Sequence, residues 1–342
     1  MNLKTLRFAL AFICLAFAAG SSTSFAQDVT LRVHHFMSAK APLHANFLLP
    51  WADRLADASN GRIKVDVFDS MSLGGGPADL YGQAADGAVD IILTLPGYTP
   101  GRFDELEVFE LPFMMRDATA TSGALYDLIA KRLQNTELDE TRILAAWVHG
   151  PGIIHANAPI NNLEDIAGKE LRGPTRLVTD LLGELGATPV GMPLPAIPEN
   201  LAKGVISGAV VPWEIVPSIR LQELVNNHTE LSGERALYTA TFILAMNWDT
   251  YDAMPDDLRA IFDVQTGKAL SLEASRTVLA ADKKGRELSR ANNIVTLDAD
   301  ETERWVTAAQ PVYDRFITRA ATRGFDGETA IAEADALISA NE

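Results

Sequence analysis

From residue 29 onward, apolar positions switch between a period of two and a helical period. VTLRVHHF (29–36) alternates and is rich in valine, which predicts a strand. In APLHANFLLPWADRLADAS (41–59) the apolar residues recur at helical spacing and stop at Asn60-Gly61, a helix end. RIKVDVF (62–68) alternates again, and SLGGGPADLYGQAADGA (72–88) reads as a glycine-rich turn entering a helix. VDIILTL (89–95) is a continuous apolar run, as expected of a parallel strand buried on both faces. Strands alternating with helices in this way predict an α/β layer.

The alternation then repeats with different details. TRILAAWVHG (141–150) reads as a strand, LEDIAGK (163–169) as a short helix and KELRG (169–173) as a strand. PTRLVTDLLGELG (174–186) is a helix with Pro174 near its first turn and Gly186 at its stop. ATPVGMP (187–193) and SGAVVPW (207–213) are further strands, with the helix PENLAKGVI (198–206) between them. Residues 255–292 read as one long helix, bent at most near Gly267, and residues 298–321 as more helix. Two α/β lobes are therefore expected. The first is assigned 27–148, completed by about 236–265; the second is assigned 149–235, completed by part of the C-terminal helices in 266–342. Sheets of this kind bind ligands beyond the carboxyl ends of their strands, and a cleft between lobes suits a small molecule.

The first 26 residues have another character. Lys4 and Arg7 give a positive start, FALAFICLAFAA is an apolar run, and Ser24, Phe25 and Ala26 precede a break before Gln27. These are the parts of a secretory signal peptide, with cleavage expected after Ala26 and the product in the periplasm. The run falls well short of the ~20 residues that span a bilayer. Cys14, the single cysteine, lies inside this segment. The exported chain is thus expected to have no disulfide and to rely on a full apolar core. The full 342-residue sequence carries 29 Lys and Arg against 45 Asp and Glu, a net charge of −16. That balance argues against nucleic acid as a partner. An anionic ligand has to be drawn in by local positive charge.

Catalytic chemistry is hard to find. There is no G-x-S-x-G turn, H-E-x-x-H pair or cysteine–histidine cluster, so neither enzyme activity nor a metal or cofactor is expected. His34 and His35 are adjacent on a strand and point to opposite faces. LGGGP (73–77) lacks the G-K-[ST] of a phosphate loop and reads as a turn. Arg172 is the exception, because it ends a strand expected to be buried and precedes Gly173-Pro174 and a helix start. A guanidinium there can pair in two-pronged fashion with a carboxylate; Arg176, in the first turn, lies close by. Either arginine could instead bridge to an acidic neighbour. Phe36, Tyr98 and Trp213 follow three of the strands, with Thr94 in the run TLPGYTPGRF; these are ligand platforms or packing residues. His149 and His155 flank HGPGIIH and could donate to a ligand oxygen or serve the fold.

The run GKELRGPTRLVTDLLGELGATPVGMP, with LRGPTR and LGATPVGMP, resembles the signature of the periplasmic solute-binding subunits of tripartite ATP-independent periplasmic (TRAP) transporters. ELPFMMRD (110–117), WADRLADASNGRIKV (51–65), SLGGGPADLYGQAADGAVDI (72–91) and YDAMPDDLRAIF (251–262) extend the similarity in order along the chain. The resemblance implies a two-lobe periplasmic-binding-protein fold with a long helix spanning both lobes and a ligand cleft between them. It also implies capture of a small organic acid by hinge closure and delivery to an ion-gradient-driven membrane permease. The signature arginine, which binds the ligand carboxylate in that family, maps onto Arg172.

Two departures narrow the ligand. Many members carry a second ligand arginine where this chain has Gly152, and D-G-Q-E-N-P where it has SGAVVPW, so that Val211 replaces a ligand-contacting asparagine. A sugar acid needs a partner for each buried hydroxyl, and valine and glycine offer none. The expected ligand is a monocarboxylate with an apolar or aromatic body, of benzoate type, or a short keto or hydroxy acid. Rival readings are a periplasmic enzyme, which needs a nucleophile–base pair or metal, and a sensory subunit presenting its ligand to a receptor.

Overall fold

The computed structural model describes residues 29–342; the expected signal segment lies outside them. Among the described residues, eleven strands build two sheets. In chain order they are β1 (Val29–His35), β2 (Ile63–Phe68), β3 (Ile91–Thr94), β4 (Thr141–Val148), β5 (Ile153–Ala156), β6 (Glu170–Gly173), β7 (Thr188–Gly191), β8 (Gly208–Val211), β9 (Asn227–Leu231), β10 (Thr241–Asn247) and β11 (Asn293–Leu297). The first lobe has the order β2-β1-β3-β10-β4 and the second β11-β9-β5-β8-β6-β7. β1 runs parallel to β2 and β3, pairing Val33 with Val67 on one side and Ile91 on the other. β10 enters antiparallel between β3 and β4.

Each sheet is covered by helices that bury apolar stripes. The helix Arg176–Glu184 turns Leu177, Val178, Leu181 and Leu182 inward, the spacing expected of an amphipathic helix. In the first lobe Trp147 is fully buried, stacked on Phe242 at 5.6 Å and edge-on to Phe47 at 5.3 Å. Such aromatic burial without disulfides is how a chain of this size meets the entropy cost of folding.

The chain passes between the lobes from β4 to β5 through His149–Gly152 and returns from β9 to β10. A third connection is the helix Lys268–Leu288, which packs on β4 and on the helix Ala118–Lys131 of the first lobe. Its other half packs on the turn Trp213–Ile215 of the second. The single helix expected over 255–292 is two helices, Asp256–Val264 and Lys268–Leu288. The break is at Gly267, whose φ of 88° is open to glycine but strained for other residues, and whose N–H donates to the Leu144 carbonyl of β4. The helix expected over 298–321 is likewise divided, into Ala299–Ala308 and Gln310–Arg323, with a proline at the start of the second.

Candidate ligand site

Between the lobes lies a small cavity of about 40 Å³, in the kind of inter-lobe position that small-molecule sites favour. Phe36, Met37, Leu95 and Tyr98 reach it from the first lobe; Arg172, Leu194, Val211 and Ile215 reach it from the second. His149, Tyr238 and Phe242 line it from the crossing segments and β10. The walls are therefore aromatic and aliphatic, and the only formal cation among the lining residues is Arg172.

Arg172 is placed by its strand. β6 lies between β7 and β8, with Arg172 opposite Val190 and Ala209. Gly173 lets the chain turn at once into the next helix, since a side chain there would meet Thr179 at 2.9 Å. The guanidinium is held by two carbonyls: Nε donates to Met192 O at 2.8 Å and Nη1 to Val210 O at 3.1 Å. The Tyr98 hydroxyl lies within its hydrogen-bonding reach and accepts from the Leu194 N–H at 3.1 Å. Arg172 is 2 % exposed, and none of the ion pairs among the described residues includes it. Burial penalises its charge and lowers its pKa, although an arginine stays protonated in proteins. A buried cation held by neutral acceptors is costly until an anion joins it.

Arg176 does something else. Its guanidinium is bound to Asp104 and, at 2.8 and 2.9 Å, to both carboxylate oxygens of Glu107. Arg319 and Arg323 join the same two acids, at 3.0 Å in each case. Asp104 and Glu107 belong to the first lobe and Arg176 to the second, so this network ties the lobes together at one edge of the cleft. Arg176 is not among this cavity's lining residues; it lines an adjacent pocket with Tyr98 and Pro174.

The remaining expected residues divide. Phe36 and Tyr98 line the cavity edge to face, with centroids 5.2 Å apart, and Val211 lines it beside them. His149 also lines it, but both ring nitrogens are engaged: Nδ1 with the Gly150 carbonyl, while Nε2 accepts from the Ala240 N–H at 3.1 Å. Burial lowers its pKa to about 4, so it is a neutral wall and no ring N–H is left for a ligand. His155 lies behind, its Nδ1 2.7 Å from that of His228, with Trp213 edge-on to it at 5.0 Å. The Trp213 indole donates to Glu230 at 2.7 Å. Thr94 is buried against the Pro77 carbonyl. His155, Trp213 and Thr94 are not among this cavity's lining residues, because strand-end position alone does not determine which way a side chain faces.

Tyr238 is the main residue that periodicity missed. A Cβ at Gly152 would lie 1.9 Å from its ring, so the absent side chain is the space the tyrosine fills. The position where the resemblance expects a second arginine therefore carries an aromatic wall. Burial pushes the Tyr238 hydroxyl well up, with Arg172 pulling it back. Glu214, also missed, lines the cavity from the turn after β8. Among the described residues no group of three or more His, Cys, Asp or Glu is placed to hold a metal ion, and no helix is long and apolar enough to cross a membrane.

Solved structures of similar shape are themselves binding proteins of this transporter class. A TRAP solute-binding protein from Rhodoferax ferrireducens, in complex with copurified benzoate, is 45 % identical with a TM-score of 0.89, covering 91 % of this chain and 98 % of that one. A marine-metagenome TRAP solute-binding protein described as specific for aromatic acid ligands, in complex with 3-hydroxybenzoate, is 40 % identical with a TM-score of 0.90, covering 93 % and 100 %. One from Bordetella bronchiseptica, with bound (R)- and (S)-mandelate, is 26 % identical with a TM-score of 0.83, covering 92 % and 99 %. The sequence pattern of bacterial extracellular solute-binding protein, family 7, matches residues 33–319. With its two lobes, spanning helix and buried cleft, the chain belongs to that family, the solute-binding proteins of TRAP transporters.

Proposed function

We propose that this chain is the extracytoplasmic subunit that captures an aromatic monocarboxylate for a TRAP permease. Export through residues 1–26 places it in the periplasm; the lobes close on the ligand, and the closed form docks on the membrane subunits. The observation that carries this reading is Arg172: a buried guanidinium with no ion-pair partner among the described residues, in a cavity otherwise walled by Phe36, Tyr98, Tyr238 and Phe242. A carboxylate on Arg172 makes charge-assisted hydrogen bonds in a site that excludes water, and the rings bury a flat apolar body. The benzoate, hydroxybenzoate and mandelate complexes of the similar proteins support the same ligand class. Sugar acids fit poorly, since Val211, Ala240 and Leu194 offer no side-chain partners for their several hydroxyls.

A thermal-shift screen over aromatic acids, short keto and hydroxy acids, uronic acids and sialic acid tests this. The expected result is stabilisation by benzoate-type acids, in proportion to their saturation of the site. A response confined to uronic or sialic acids rejects the proposal.

A further inference from the structure

The cavity contains a second polar group that contact with a carboxylate at Arg172 does not use. Glu214 lines the cavity from the turn Trp213–Ile215 and is 4 % exposed. Its backbone N–H donates to Asp282 Oδ1 of the spanning helix at 2.7 Å. Its Oε2 is buried and has no hydrogen-bond partner among the described residues. None of the ion pairs among those residues includes Glu214. A buried carboxyl that nothing neutralises keeps its proton, and burial with Asp282 beside it pushes Glu214 well above the usual carboxylate range. A protonated carboxyl offers one O–H donor and acceptor lone pairs, which is what a neutral hydroxyl needs. The Tyr238 hydroxyl lies within electrostatic reach of both Arg172 and Glu214, so the two polar groups share one aromatic wall. Glu214 also borders the groove of Asn46 and Lys284; a residue serving only to join the second lobe to the spanning helix is the competing reading.

We propose that Glu214 is a specificity-determining residue that exchanges hydrogen bonds with a ring hydroxyl of the ligand whose carboxylate Arg172 holds. The preferred class is then hydroxylated aromatic monocarboxylates, ahead of the unsubstituted or alkylated acids. This rests on the aromatic-acid reading of the site.

Isothermal titration of the exported chain with benzoate, 3- and 4-hydroxybenzoate, and 3- and 4-methylbenzoate tests it. In the wild type, at least one hydroxybenzoate should bind about tenfold or more tighter than its methyl counterpart, because a buried hydrogen-bonding group left unpaired rejects the analogue lacking the hydroxyl. Glu214→Gln keeps a neutral donor and acceptor and should keep most of that ratio. Glu214→Leu should bring the ratio to within about threefold of unity. Glu214→Asp, with the carboxyl withdrawn by one methylene, should lose most of it and stands in if the leucine variant does not fold. A purely structural role changes all affinities together and leaves the ratio intact. A wild-type ratio near one, or a ratio unchanged in the leucine and aspartate variants, overturns the inference while benzoate binding still supports the proposed function. Failure of every aromatic acid, benzoate included, overturns both.

Discussion

Arg172 and Gly152 show how a single position shapes the wall of the cleft. The Arg172 guanidinium needs its fork geometry to reach Met192 O and Val210 O while a nitrogen edge remains for the ligand. Calorimetry on Arg172→Ala should show a loss of about 2–5 kcal/mol in binding a benzoate-type acid. Arg172→Lys should not recover it, because an ammonium cannot make a planar two-pronged contact. Unchanged affinity in both returns Arg172 to a structural role. Gly152 acts by what it lacks, and Gly152→Ala forces a methyl into the Tyr238 ring. It should cost about 1–3 kcal/mol of stability by overpacking and weaken ligand binding as the ring is displaced; an unaltered urea midpoint contradicts this. Arg172 was legible because strand, glycine, proline and helix are consecutive in the chain. Tyr238 was not, because it meets Gly152 only across a tertiary contact.

At the scale of elements, the spanning helix shows where periodicity stops informing. The run 255–292, without proline after its start, predicted one helix, but the turn at Gly267 is imposed by packing, through the hydrogen bond to β4. Gly285, inside Lys268–Leu288, has a second function: a Cβ there would lie 2.0 Å from the backbone carbonyl of Trp213. The glycine lets the helix lie directly on the turn that carries Glu214. Alanine normally stabilises a helix by about 1 kcal/mol relative to glycine. Gly285→Ala should instead destabilise, by roughly 1–3 kcal/mol. The sign in a urea titration is the discriminator, and a gain in stability means the helix can move off the turn freely. TFILAMN, which forms β10 and is buried at every residue, bears the apolar signature of a central strand. Its position between β3 and β4 depends on a return of the chain from the second lobe.

For the molecule as a whole, closure and pH response follow from groups far apart in sequence. Arg176, Asp104 and Glu107 join the lobes without touching the cavity. Arg176→Ala should leave ligand contacts in place yet weaken affinity by about 5–30-fold, through faster release. Arg319 and Arg323 still neutralise the acids, which limits the loss. Stopped-flow release rates check it, and an unchanged rate removes the network from closure. Asp282 is pushed up to about 7 by burial. Between its unfolded value and that figure the folded state binds more protons than the unfolded one, so its contribution to stability declines as pH rises through that window. Asp282→Asn keeps an acceptor for the Glu214 N–H and removes the titration. It should be more stable than the wild type at pH 8, by up to about 4 kcal/mol, with the difference vanishing near pH 4. The buried histidines act oppositely: His155 and His149 are lowered to about 3 and about 4. They cost stability as pH falls below their unfolded value of about 6.5. A difference between the proteins that does not change with pH rejects the Asp282 assignment.

Local chemistry along the chain determined the α/β alternation, most strand and helix positions, the single arginine at the end of β6 and the apolar character of the residues around it. These follow from periods of two and 3.6 and from residues a few positions apart, which are properties of the chain itself. Which expected residues face the cleft was decided only by the tertiary structure. Packing set His155, Trp213 and Thr94 behind the wall, drew Arg176 into an ion network, broke the spanning helix at Gly267 and brought Tyr238 and Glu214 into the cavity. The side chain that fills a space is selected by every element bordering it, and those elements meet only when both lobes are folded.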